Sequence, residues 1–468
     1  MRFGVNYTPS EGWFHHWLDF DADSVRADLD SIAALGLDHI RVFPLWPYFQ
    51  PNRSLVRPRA VEQLVTLVDA AGERGLDVNV DGLQGHLSSF DFLPAWTRTW
   101  HRRNLFTDPK VLDGQAHLLR TLAAALADRP NFLGMTLGNE INQFSAGPHP
   151  DPDRATADEI DAWLTRMLAA CEEGAPGKLH LHAEYDATWY QDDQPFTPAQ
   201  AARHGTMTAV HSWVFNGTAQ RHGRRSVPTE HHAAYLIELS KAWADEPHRP
   251  VWLQEVGAPA PLIPPEDAAA FTEATIEHAL DCPDLFGITW WCSHDVSRDL
   301  ADFPELEYGL GLLTNDRTPK DTARVLARAA QATRAAEAAR AAQATRAAQA
   351  ARAAEAARAP EATRTQQAAT PTPPIPTPTT PPTPTAPPPI PAPRTTALVV
   401  PADPATRSRC APGGPVYDAF FRLTADGARP TTVLDTRATD PQHLAARGIT
   451  EVVTSDQVLP TPQGGTRS

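Results

Sequence analysis

The chain is poor in sulfur, with four cysteines and four methionines in 468 residues. Cys171, Cys282, Cys292 and Cys410 are scattered, and no two of them form a CxxC pair. That spacing argues against a zinc ribbon, a thioredoxin-like redox motif and a disulfide framework, and reads as reduced, buried thiols. Long apolar runs are missing too. None approaches the roughly 20 residues that cross a bilayer, so no membrane partner is expected. The opening "MRFGVNYTPSEG" has no basic segment followed by an apolar one and a small-residue cleavage site. A cytoplasmic location is therefore the expectation, under which the sequons at Asn6, Asn52 and Asn216 carry no meaning. Basic charge is not in surplus either. The net charge of −15 argues against nucleic acid and favours a neutral or cationic small substrate. These patterns call for no metal and no cofactor.

Aromatic residues are absent between Ala327 and Arg394, whereas residues 1–320 carry all 12 tryptophans. Only that first part can build a large core. Within it, short runs rich in Val, Ile, Leu and Phe alternate with stretches of helical periodicity. The expected strands are "RFGVNY" (2–7), "HIRVFPL" (39–45), "LDVNVDG" (76–82), "NFLGMTL" (131–137), "KLHLHAE" (178–184), "MTAVHSW" (207–213), "PVWLQEV" (250–256) and "FGITWWC" (286–292). Helical segments such as "DSVRADLDSIAALG" and "AVEQLVTLVDAAGERG" separate them, and "TPKDTARVLARAA" closes the series. Eight strands alternating with eight helices predict an α/β fold, a (β/α)₈ TIM barrel over residues 1–326, with its site at the C-terminal ends of the strands.

Those ends carry Arg41, His86, Asn139, Glu140, His211, Glu255 and Trp291. Taken singly, each suits a structural role. Taken together, two glutamates facing each other across a barrel mouth supply what retaining glycoside hydrolysis requires: one attacks the anomeric carbon, the other protonates the leaving oxygen and later activates water. Arg41 beside the nucleophile would keep it ionised.

"LGNE" (137–140), "WLQEVG" (252–257) and "WWCSHD" (290–295), with the closing "EYGLGLLTNDRTPK", resemble glycoside hydrolase family 5 and its clan of barrel glycosidases. The resemblance implies that Glu140 is the acid/base, Glu255 the nucleophile and Asn139 the partner of the sugar 2-hydroxyl. It also implies support from Arg41 and His211, a hydrophobic platform at Trp291, and His86 at the substrate. One departure stands out. The family often has His-x-Tyr on strand six, where this chain reads His211, Ser212, Trp213, so an indole N–H that cannot accept a proton replaces a phenol. Trp46, Trp96, Trp100 and Trp189 fall in loops where rings stack on sugars or pack the core. Asn6, Tyr7, His182, Glu184, Asp186, His294 and Asp295 are further candidates for the rim.

Behind the barrel, an arginine recurs every six residues from Arg328 to Arg364. Six residues advance a helix by about 600°, so no apolar stripe forms and residues 327–369 read as a helical or disordered repeat, a solvated single helix stopped near Pro360 where it is helical. A Pro/Thr-rich spacer (370–394) and a small α/β segment (395–468) follow, the latter free to dock on the barrel, on a second copy or on nothing. The barrel alone is expected to carry the chemistry. That chemistry is a retaining β-glycosidase acting on β-linked oligosaccharides, β-mannosidase-like or β-glucosidase-like. An endo-acting mannanase or glucanase and a silent sugar-binding barrel are the alternatives, and the oligomeric state is left open.

Overall fold

The computed structural model describes residues 1–100, 102–358 and 394–459. Parallel strands β1 (Arg2–Asn6), β2 (His39–Val42), β3 (Asp77–Asp81), β4 (Phe132–Thr136), β5 (Thr208–Ser212), β6 (Val251–Val256) and β7 (Leu285–Trp290) form one curled sheet in the order β4-β3-β2-β1-β7-β6-β5. Their residues are buried on both faces, as the short apolar runs predict for a sheet wrapped by helices. The wrapping helices begin where local chemistry dictates. Asp21 accepts from the Asp23 and Ser24 amides ahead of the helix Ala22–Ala34. Asp108 does the same before Pro109–Leu126, where a proline opens the first turn, and Thr156 and Glu159 form a reciprocal capping box at Ala157–Gly174.

The expected fifth strand is the one that departs. Residues 178–184 contribute a single bridge, Leu181 to Thr136, although the Leu179 and Leu181 amides donate to Leu133 and Met135 of β4. The His180 ring accepts from the Met135 amide at 3.2 Å, and on the far side the Thr206 amide and hydroxyl both donate to the His180 carbonyl. The segment thus fills the eighth position between β4 and β5 without a regular ladder. The chain is a (β/α)₈ barrel with one attenuated strand.

Among the described residues, those up to 330 and those from 394 to 459 form one compact unit, and 331–358 belong to a second. In the second unit the helix Asp321–Arg358 continues with its side chains solvated between 341 and 354. The final part of the repeat (359–369) and all of the Pro/Thr-rich spacer but Arg394 lie outside the described residues.

The C-terminal segment is a parallel three-stranded sheet (Thr396–Val400, Thr431–Leu434, Glu451–Val453) with helices, and it packs directly on the barrel. Tyr235 of the helix His232–Lys241 packs against the rings of Tyr417, Phe420 and Phe421. Arg407, nearly fully buried, donates to the carbonyls of Gln194 (3.0 Å) and Phe196 (3.3 Å) in the loop after the attenuated strand. Glu238 is fully buried at this junction, accepting from Lys241 Nζ at 2.9 Å and Thr431 Oγ1 at 2.6 Å, with Arg394 at 3.4 Å. Burial raises its carboxyl, yet Lys241 and Arg394 outweigh that and hold it at about 2.

Because the folded value lies below the unfolded one, this contribution is complete above pH 4.5 and is lost as pH falls toward about 2. Glu238→Gln is expected to destabilise the protein by about 3 kcal/mol at neutral pH, since it leaves Lys241 buried without its counter-charge and Arg394 with only Asp281, at 3.6 Å. Thermal melts of both proteins from about pH 7 to 3 should show the gap narrowing below pH 4.5.

Candidate active site

The site is built around Arg41, which is fully buried on β2. Its Nε and Nη2 donate to the two oxygens of Asp81 at 2.6 and 2.9 Å. Nη2 also reaches Asn139 Oδ1 at 2.8 Å, while Nη1 reaches Glu255 Oε1 at 2.6 Å and Asn6 Oδ1 at 3.2 Å. A planar fork of five N–H groups matches this arrangement in a way a lysine does not. Strand irregularities aim the partners. The register between β5 and β6 shifts between Val210 and His211, and that between β6 and β7 shifts between Leu253 and Val256, so His211 and Glu255 both sit at bulges that turn side chains toward the barrel mouth. Glu140 follows β4 with φ of 45°, a left-handed conformation uncommon outside glycine, and leads into the short helix Ile141–Ser145.

His211 stands between the two glutamates. Its Nδ1 lies 2.9 Å from Glu140 Oε1 and 3.4 Å from Glu255 Oε2, and its Nε2 lies 3.4 Å from Gln254 Oε1. Gln254 spends its amide hydrogens on Thr136 Oγ1 at 3.1 Å, so both ring nitrogens face acceptors. One oxygen of Glu140, one of Glu255 and one ring nitrogen of His211 lie within 4.8 Å of one another. Such a trio has the spacing of a metal site, but Arg41 and the Trp213 indole (3.3 Å) already claim the oxygens of Glu255, and Gln143 Nε2 claims Glu140 Oε2 at 2.6 Å. A permanent cation in contact with the ligand set opposes a second one.

Burial acts on all three groups. It would neutralise His211, but the Glu255 and Glu140 charges prevail and lift the imidazole above its ordinary value. Burial pushes Glu255 up, with Glu140 adding to it, against the pull of His211 and Arg41. Glu140 ends below its ordinary value because the His211 hydrogen bond and charge, with His86 and Gln143, outweigh burial. These directions favour a charged His211 beside an ionised Glu140.

Above this floor opens a pocket of about 180 Å³. His86, Asn139, Glu140, Trp213, Glu255 and Trp291 line it, with Arg41 and His211 behind, so the eight residues singled out in the sequence converge. Trp213 donates to Glu255, where the family often has tyrosine. The other rim candidates turn to structural work. Tyr7 donates to Asp28, His182 pairs with Glu184, Asp186 accepts from Asn216, His294 faces the Thr8 carbonyl and Asp295 takes Lys320. Trp46, Trp96 and Trp189 are buried in packing and Trp100 is fully exposed, and none of the four lines the pocket. Sequence reasoning missed Ser88, Ser89, Gln143, Pro148, Tyr185, Phe215 and Glu307, which complete the wall. Phe215 stacks on Trp213 with centroids 5.0 Å apart, a pairing signalled only by their i, i+2 spacing past the end of β5.

Paired carboxylates at the C-terminal mouth of a (β/α)₈ barrel, walled by aromatic rings, define a barrel glycoside hydrolase. Scans of protein-family models and of curated proteins found no match. Solved structures do match. A GH5_18 alanine variant from Streptomyces cattleya, in complex with Manβ1-4GlcNAc, is 65% identical with TM-score 0.85, covering 98% of this chain and all of its own. GH5_18 from Bifidobacterium longum subsp. infantis is 43% identical, with 97% of each chain covered and TM-score 0.83. A GH5_18 alanine variant from Bifidobacterium longum subsp. longum, also in complex with Manβ1-4GlcNAc, is 40% identical over 97% of this chain and 96% of its own, with TM-score 0.83. The chain belongs to glycoside hydrolase family 5, subfamily 18.

His211 supplies a pH test. Its folded value is raised above 6.5, so its stabilisation is complete below pH 6.5 and lost as pH rises through the folded value. The Tm difference between wild type and His211→Gln is expected to be largest below pH 6.5 and to narrow on the alkaline side; a flat difference would show a neutral imidazole.

Proposed function

We propose that the chain is a retaining β-mannosidase that releases mannose from oligosaccharides of the Manβ1-4GlcNAc type, with Glu255 as nucleophile and Glu140 as acid/base. The observation that carries this reading is the carboxylate pair, with oxygens within 4.8 Å across one small pocket. Retaining enzymes hold the pair at about 5–5.5 Å, whereas inverting ones need about 6.5–9.5 Å to admit a water between them. The two complexes of relatives with Manβ1-4GlcNAc support the choice of sugar.

In the first step a Glu255 oxygen bonds to C1 while the C1–O bond to the leaving sugar breaks and Glu140 protonates that oxygen. Arg41, 2.6 Å from Glu255, pulls the nucleophile toward its ionised form, but contrary to the expectation from sequence it does not win: burial and the Glu140 charge hold the carboxyl above its ordinary value. Glu140 obtains its proton across the 2.9 Å hydrogen bond from His211, which leaves the ring neutral as the carboxyl becomes an acid. In the second step Glu140 takes a proton from water, the water oxygen bonds to C1 and the bond to Glu255 breaks, so two inversions give net retention. Asn139, fixed by Arg41 at 2.8 Å, faces the 2-hydroxyl, the group that distinguishes manno from gluco sugars. Trp291 and the Trp213–Phe215 pair supply apolar faces for the ring carbons.

Proton NMR of Manβ1-4GlcNAc hydrolysis is expected to show β-mannose first; α-mannose first would overturn the retaining assignment. Glu255→Ala should abolish turnover of every glycoside, with azide restoring some activity with inverted stereochemistry. Glu140→Ala should retain its first step on 2,4-dinitrophenyl β-mannoside, whose leaving group needs no proton, while losing about 100-fold or more on Manβ1-4GlcNAc. Equal losses on both substrates, without rescue by azide, would mean Glu140 is not the acid.

A further inference from the structure

Glu307 has no part in the mechanism above, yet it faces the same pocket from the short helix Glu305–Gly309 in the loop after β7. Among the described residues its only hydrogen-bond donor is Ser88 Oγ, at 2.9 Å to Oε2. None of the described arginines or lysines pairs with it, and burial with the charges of Glu255 and Glu140 pushes its carboxyl up to about 7. A carboxylate kept beside two others without a cation serves no evident folding purpose, and its free oxygen is a ready partner for hydroxyl donors.

Its position fixes which hydroxyls. Glu140 marks the side on which the leaving sugar departs, and Gln143 and Tyr185 line the pocket near it. Glu307 is tied instead to Ser88 of the hairpin that follows β3. A block of rings backs that side: Phe303 packs against Phe90 (4.9 Å) and Trp13 (4.7 Å), and Tyr308 lies 5.8 Å from Phe303. The volume of about 180 Å³ is smaller than the roughly 300–1,000 Å³ of pockets for larger ligands, so it suits one sugar ring.

We propose that Glu307 is a specificity residue that binds the C4 and C3 hydroxyls of the terminal mannose, the edge of the ring remote from C1. O4 is where a β-1,4-linked chain would continue, so a carboxylate seated on it, with the ring block behind, admits a terminal residue and refuses an internal one. This rests on the β-mannosidase reading.

The test compares 4-nitrophenyl β-mannoside with its 4-deoxy and 3-deoxy analogues in wild type, Glu307→Gln and Glu307→Ala, each first checked for a wild-type-like thermal melt. Wild type is expected to lose about 10- to 100-fold in kcat/KM on the 4-deoxy sugar, the scale of one hydrogen bond to a charged group. Glu307→Ala should lose a similar factor on the parent glycoside and treat parent and 4-deoxy sugars within about threefold of each other. Glu307→Gln, which keeps an acceptor, should fall between the two. A purely structural role would lower all substrates by one common factor, so undiminished discrimination in Glu307→Ala overturns the proposal, as does a wild type indifferent to 4-deoxygenation. If wild type turns over β-glucosides instead of β-mannosides, the sugar assignment fails while the same comparison in the gluco series still decides Glu307.

Discussion

A single buried guanidinium orders this active site. Arg41 has no access to water and must satisfy its donors within the barrel, on Asp81, Asn139, Asn6 and Glu255. An arginine so buried without counter-charges would cost several kcal/mol, so these partners are held as firmly as the cation itself. Asp81, pushed up by burial though bound through both oxygens, pairs with it on the side away from the pocket, and Glu255 pairs with it on the pocket side. The guanidinium thereby joins β1, β2, β3 and β6 to the turn that follows β4, and the proposed nucleophile inherits its position from that network.

Everything else in the pocket adapts to this floor. The bulges at His211 and around Glu255, and the left-handed backbone at Glu140, are local irregularities that a regular sheet would not adopt. They are tolerated because they bring three titratable groups within hydrogen-bonding reach while the surrounding barrel remains closely packed. His211 links the two glutamates electrically, so the protonation of either depends on the other. The small cavity above is walled by residues from loops that share nothing in sequence except their place at the C-terminal ends of strands.

The C-terminal segment extends the same logic outward. Its contacts with the barrel combine an aromatic cluster at Tyr235 with buried charges at Glu238 and Arg407, and Arg407 holds carbonyls of the loop that follows the attenuated strand. That strand has the weakest ladder in the sheet, so an outside brace on the adjoining loop compensates for missing main-chain hydrogen bonds.

Much of this was legible without coordinates. Strands buried on both faces betray themselves as short apolar runs, and residues that interrupt such runs at their C-terminal ends are costly unless used, which is why Arg41, Asn139, Glu140, His211 and Glu255 stood out. The Ala/Arg repeat has no apolar stripe, and its described part is helical up to Arg358. What stayed hidden depends on loops. Glu307 and Tyr185 lie in irregular segments whose side chains have no period to betray their direction, and Trp46, Trp96 and Trp189 carry the composition of a sugar platform but are consumed by packing. The attenuated strand was hidden for another reason: its sequence has strand character, but the His180 ring takes an amide that a ladder would have used. Sequence by itself determined the barrel and the chemistry at its mouth, because both follow from the cost of burying polar groups. Tertiary structure alone decided the pocket's walls and the brace around it, because these depend on which loops meet in space.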